Sequence, residues 1–170
     1  MKYRWAVIFF IAAFALQTAW MGAFSISDVS ANLILCVSAA IAFTYPDDTS
    51  GIVLGGIFSL IYDAVFSAYL GITAFPLVIT IALVMFVKEK LLNNENRISM
   101  LIVSAGSVLV YYNLYWLAVR AAGYNSAYTM MLGNLIWYLI LNMVVMLILY
   151  FFLIRRVVIH QEERYNRWVR

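Results

Sequence analysis

The basic residues of this chain are distributed with a bias that few folds can satisfy. Lys2 and Arg4 precede the first long apolar run, and Lys88, Lys90 and Arg97 lie between the fourth and fifth. Arg155, Arg156, Arg164, Arg167 and Arg170 follow the sixth run. Of the 11 Lys and Arg residues, only Arg120 falls on the opposite set of connections. Basic side chains resist translocation, so the segments that carry them stay on the cytoplasmic side of a bilayer. The alternation therefore predicts a polytopic membrane protein with both termini in the cytoplasm.

Composition agrees with this reading. Hydrophobic residues make up 66% of the chain and charged residues 11%, against roughly a quarter charged in soluble domains. A bilayer core of ~30 Å asks for ~20 apolar residues per helix, so the 170 residues hold about six spans and leave no room for a soluble catalytic domain. The expected architecture is all-α and a single domain. Its spans are Trp5–Phe24, Val29–Tyr45, Gly51–Phe66, Leu70–Val87, Ile98–Val119 and Met130–Ile154, followed by a basic cytoplasmic tail over 155–170. The first run is too long for a signal-peptide core and lacks a small-x-small cleavage site, which reads as an uncleaved anchor. Pro46 is expected to end span two, Asp48 or Ser50 to cap span three, and Pro76 to kink span four.

Several function classes drop out. A single Cys36 excludes an intrachain disulfide or a cysteine-rich metal site, and His160 has no second His near it. No nucleophile–base pair, glycine loop with Lys, or metal-ligand spacing is present. No catalytic residue, cofactor or metal is expected. The net charge of +3 belongs to membrane flanks, where topology and anionic headgroups account for it better than nucleic acid does.

The most informative single residue is Asp63. It lies 12 positions after Gly51, ~18 Å along a helix that rises 1.5 Å per residue. A carboxylate at the centre of a bilayer costs about 2.5–3.5 kcal/mol on insertion scales and so takes partners. Arg120 is the one basic residue on the outer side, and the two are expected to approach each other directly or through water. The result is either an outward polar site or a helix-packing ion pair, unless Asp63 sits near the interface and simply reaches water. Around them fall Tyr62, Tyr111, Tyr112, Asn113, Tyr115, Trp116, Tyr124, Asn125, Tyr128, Asn134 and Trp137, mostly the aromatic belt of a membrane interface. Asn113 and Asn134 fit a belt less well and are expected to tie spans five and six, with Asn142 and Gln17 as deeper interhelical hydrogen-bonding groups. Gly51, Gly55 and Gly56 form a small-residue face suited to close helix packing or to a partner helix. The end of the chain, VVIHQEERYNRWVR, reads as a basic aromatic flank or an interfacial docking helix.

The segment GIVLGGIFSLIYDAVFSAYLGITAFPL, Gly51 to Leu77, resembles the signature of the MreD family of bacterial rod-shape proteins. The resemblance rests on a glycine-led helix with Gly55 and Gly56, the Tyr62-Asp63 pair, and Leu70-Gly71 after a short turn; Gly71 is grouped with the helix-packing glycines. The turn itself, Phe66-Ser67-Ala68-Tyr69, departs from the Ser-Gly-Ser/Thr-Pro-like stretch usual in the family. The resemblance implies a multi-pass protein of the bacterial plasma (inner) membrane. It also implies a non-enzymatic scaffold of the cell-wall elongation (elongasome) complex. Its nearest partner would be an MreC-like single-span protein, and through that MreB, RodA and a class B penicillin-binding transpeptidase. Tyr62, Asp63, Arg120, Asn113 and Asn134 would then form a partner-binding or structural polar site. MreD-like proteins are also distantly similar in fold to the S-components of energy-coupling-factor transporters. This supplies an alternative: a vitamin carrier subunit with Asp63, Arg120 and the tyrosines lining an outward cavity.

Overall fold

The computed structural model describes residues 3–20, 25, 29–45, 49–91, 97–124 and 128–168; side chains are described except at 3, 20, 90–91, 97–98, 130 and 152–168. The described residues form an all-α fold of six helices: α1 Tyr3–Trp20, α2 Leu33–Thr44, α3 Ser50–Phe66, α4 Ala74–Leu91, α5 Arg97–Ala121 and α6 Tyr128–Trp168. All six expected apolar runs are helical, but their limits differ for identifiable reasons.

Span two is helical only over the 12 residues of α2, about 18 Å of rise against a bilayer core of ~30 Å. Its start is pinned by Asn32, which keeps an extended backbone (φ −89°, ψ 95°) and accepts the Leu35 N–H on its side chain. Helix α4 begins at Ala74, because Leu70–Thr73 forms a turn. Pro76 is thereby the third residue of α4, in the first turn, where a missing N–H costs least; the kink expected from its position inside a longer span has no basis. Thr49 takes the cap position of α3 without a side-chain hydrogen bond, and Ser50 is already helical; Pro46, Asp47 and Asp48 lie outside the described residues. Helix α6 runs unbroken for 41 residues, about 60 Å, so the tail continues the last span as helix. The side chains of that tail, His160 included, lie outside the described residues.

The bundle is organised around α2, which packs against all five other helices. Every residue from Ile34 to Phe43 is buried, and Leu77 and Ile81 of α4, Met100 and Val108 of α5 and Met146 of α6 complete the interior with Phe10 of α1. Glycines set the closest approach. A Cβ at Gly51 would lie 3.0 Å from the Ser38 carbonyl oxygen of α2, and one at Gly56 3.1 Å from Val78 of α4. At Gly55 it would collide with the Ser38 hydroxyl while lying 3.0 Å from Leu77. The small-residue face of α3 is thus spent inside the chain, between α2 and α4.

The surface is unlike that of a water-soluble bundle, while the interior is apolar with polar residues set into it. Exposed positions carry Ile8 and Ile11 on α1, Ile57, Leu60 and Val65 on α3, Phe75 and Phe86 on α4, and Ile102 and Leu117 on α5. On α6 they carry Leu132, Ile136, Ile140, Val144 and Ile148, one every fourth residue. Buried positions hold Asn32, Ser38, Ser59, Asp63, Thr80, Ser104, Ser107 and Asn142. Two stretches, Ser99–Ala121 and Met131–Phe151, are long and apolar enough to cross a membrane unaided; Arg4–Ala19, Leu33–Thr44 and Ser50–Phe66 are shorter apolar helices.

Replacing Gly55 by Leu overpacks the α2–α3–α4 junction and is expected to cost about 1–3 kcal/mol, seen as a lower thermal midpoint of the detergent-solubilised protein. Gly133→Ala, where an added Cβ meets nothing within 4 Å, is expected to leave the midpoint unchanged or slightly raised.

Candidate functional site

Asp63 sits in the last turn of α3 with none of its surface exposed. Its carboxylate reaches across the turn and collects five donors from the chain segment that follows. Oδ2 accepts the backbone N–H groups of Gly71 (3.0 Å), Thr73 (3.0 Å) and Ala74 (3.2 Å). Oδ1 accepts the hydroxyls of Thr73 (2.6 Å) and Ser67 (3.1 Å). Ser67 also closes α3, its N–H donating to the Asp63 carbonyl at 2.9 Å.

The arrangement is a helix cap supplied from a neighbouring helix. The first N–H groups of α4 have no intrahelical acceptor, and the positive end of its dipole favours an anion. Asp63 meets both needs, while a buried carboxylate without such donors is expensive. Three of the donors are backbone N–H groups, which can only donate and so complement an acceptor-only carboxylate. Gly71 makes the turn possible: its φ of +90° lies where L side chains are strained. It was grouped with the helix-packing glycines, but no atom lies within 4 Å of where its Cβ would be. Its role is the turn conformation and an N–H for Asp63.

The expected approach of Asp63 and Arg120 is not realised. Among the described residues no ion pair joins them: Asp63 is enclosed by the α3–α4 turn, and Arg120 is exposed at the end of α5 with its guanidinium 5.4 Å from the Trp116 ring. A five-donor shell satisfies the carboxylate without a counter-ion, so nothing draws the arginine inward. Tyr62, next to Asp63, is half-buried and packs its ring on Phe66 at 5.0 Å.

Arg120 belongs to a second group, at the α5–α6 end. Trp116 meets Tyr128 edge-on at 4.9 Å, and the Tyr128 hydroxyl donates to Asn113 Oδ1 at 3.0 Å. Asn113 Nδ2 donates to the Leu109 carbonyl at 2.8 Å. Asn113 therefore ties α5 to α6 through Tyr128 and not through Asn134, which lies exposed on the outer arc of α6 beside Leu132 and Gly133. Tyr69 of the Asp63 turn meets Tyr124 edge-on at 5.9 Å, linking the two groups. Asn125 lies outside the described residues.

A third polar cluster surrounds the start of α2. Asn142 of α6, fully buried, accepts the Asn32 N–H at 2.9 Å and the Cys36 thiol at 3.2 Å on Oδ1, and donates to the Tyr138 carbonyl at 2.7 Å. Asn32 Nδ2 donates to the Tyr111 hydroxyl at 3.0 Å. Gln17 of α1 accepts the Ile34 N–H at 3.1 Å. Three helices thus supply the acceptors and partners that the first turn of α2 lacks. Asn32, Ser67 and Thr73 were not singled out from the sequence; Thr73 directly before Ala74 is a recognisable N-cap signal, whereas Asn32 is given away only by its partners.

Matched against families of known proteins, residues 1–157 fit the family described as rod shape-determining protein MreD. The chain belongs to the MreD family. Membership implies a membrane protein with a role in rod-shape determination and involvement in the shape-determining complex; this is not a known family of enzymes. No curated protein and no solved structure matches the chain.

Asp63→Asn would place an amide NH2 against donors and is expected to cost about 2–3 kcal/mol in thermal or denaturant unfolding. Thr73→Val, which removes one hydroxyl donor, should cost about 1 kcal/mol, and Arg120→Gln no more than about 1 kcal/mol. A loss at Arg120 as large as that at Asp63 would mean that the two are coupled after all.

Proposed function

We propose that this MreD-family chain is a non-enzymatic scaffold of six membrane-spanning helices with both termini in the cytoplasm. It would hold an MreC-like single-span protein, and through it couple MreB to RodA and a class B penicillin-binding transpeptidase in the bacterial plasma membrane. The observation that carries this reading is the family match over residues 1–157. The apolar exterior, with polar side chains turned inward into an otherwise hydrophobic core, supports the bundle as one built for lipid, and the segregation of basic residues supports its orientation.

The mode of action is positional. Short connections leave partner contact to the membrane-embedded surface and to small outer and inner platforms. Asp63, with Tyr62 packed beside it on Phe66, serves it by fixing the α3–α4 turn, and Arg120 with Trp116, Tyr128 and Asn113 by presenting a charged aromatic platform at the outer end. Asn134 and the apolar stripe of α6 offer an adjoining face to a partner helix. The vitamin-carrier alternative needed Asp63 and Arg120 to line a common cavity. Engagement of all Asp63 donors within its own turn favours the scaffold.

Depletion of the protein in its native bacterium is expected to round or widen the cells, and crosslinking is expected to capture an MreC-like partner. Normal shape with an ATPase module captured instead would reverse the reading. Topology is checked separately in a Cys36→Ala background. Ser25→Cys should react with an impermeant maleimide in intact cells, and Thr49→Cys only after permeabilisation.

A further inference from the structure

Lys88 lies near the end of α4 with only 8% of its surface exposed. Its stem is buried on the side of α4 that faces α2. The ammonium stands 4.4 Å from the centroid of the Phe43 ring of α2, and Phe43 meets Tyr150 of α6 edge-on at 5.6 Å. Nζ forms no hydrogen bond or ion pair with any described residue, and the side chain is not wholly sealed from the exterior. An aromatic face stabilises a cation but accepts no conventional hydrogen bond from it. Three N–H donors are therefore held at the surface of a nearly closed crevice without an acceptor among the described residues.

We propose that this crevice between α2 and α4, beside the contact of Phe43 with Tyr150 of α6, binds the phosphate of an anionic phospholipid in the cytoplasmic leaflet, with Lys88 as its centre. Arg155 and Arg156 follow Tyr150 on the continuous α6 helix by five and six positions, so the topology sets further cations at this end of the bundle. Lys90, two residues past Lys88 on α4, adds another. At a membrane surface the acceptor on hand is lipid phosphate, and basic pockets between helices on the cytoplasmic side take anionic headgroups. The burial of the Lys88 stem distinguishes it from a freely snorkelling flank, because its position is fixed before a lipid arrives. The leaflet assignment rests on the orientation proposed above; the binding chemistry does not.

The full-length protein in detergent, given phosphatidylglycerol or phosphatidylcholine in mixed micelles, is read by native mass spectrometry for retained lipid. Wild type is expected to prefer the anionic lipid by about fivefold, the factor one basic side chain contributes at an anionic surface. Lys88→Met keeps an apolar stem and should abolish the preference; Lys88→Arg should keep it. No preference in wild type, or an undiminished one in Lys88→Met, overturns the site. So does displacement of the lipid by excess sodium phosphate, which would assign the crevice to a free anion. Should Lys88→Met not fold, a photoactivatable phosphatidylglycerol on the unaltered protein decides. Label on the peptides carrying Phe43, Lys88 or Tyr150 supports the site, and label confined elsewhere overturns it. Labelling of Thr49→Cys from outside intact cells would overturn the orientation alone and leave the lipid result standing.

Discussion

A carboxylate enclosed by five donors, with no counter-ion among the described residues, is the constraint around which the middle of this bundle is arranged. In a bilayer no water reaches the ends of a buried helix, so each free N–H or C=O must find a partner within the protein. Asp63 answers that need for the start of α4 and at the same time sets the turn that returns the chain from α3. The turn conformation then places Gly55 and Gly56 against α4, and the two helices pack at a distance only glycine allows. Loss of the carboxylate would release the turn and the packing together.

The same logic governs α2. The first residues of α2, Ile34 and Leu35, are buried inside the bundle, so their N–H groups must be met by side chains. Gln17, Asn32 and Asn142 supply those acceptors, and each brings a different segment to the same point. Because α2 touches all five other helices, this polar junction holds the bundle as a unit. Hydrophobic burial drives little association between helices in lipid. Close packing at the glycines and hydrogen bonds at the three polar clusters are what remain to make the arrangement specific.

Much of the fold was legible before any coordinates. The six apolar runs are six helices, Gly51, Gly55 and Gly56 do sit at close helix contacts, and the residues around Asp63 carried the family resemblance. The limits that shifted, at Asn32 and at Thr73, did so because a cap and a turn were counted as apolar span. Hydropathy does not distinguish a Leu-Gly-Ile-Thr turn from the helix it precedes, so Pro76 was read as a kink when it marks a beginning. The pairing of Asp63 with Arg120 failed for a related reason. Counting charges offers each carboxylate a cation, but the backbone offers donors too, and here they were closer.

Patterns that repeat along the chain, namely the spacing of basic residues, the length of apolar runs and the recurrence of small residues, are properties of the sequence, because membrane insertion acts on local stretches of chain. They suffice for the number of helices, the expected orientation and the face that packs. Which polar atom meets which is settled by the fold, because the partners are 10 residues apart for Thr73 and Asp63 and 110 apart for Asn32 and Asn142. A side chain such as Lys88 reads in the sequence as one more basic flank; only when Phe43, itself packed on Tyr150, arrives from another helix does it become a buried stem whose ammonium meets no acceptor among the described residues.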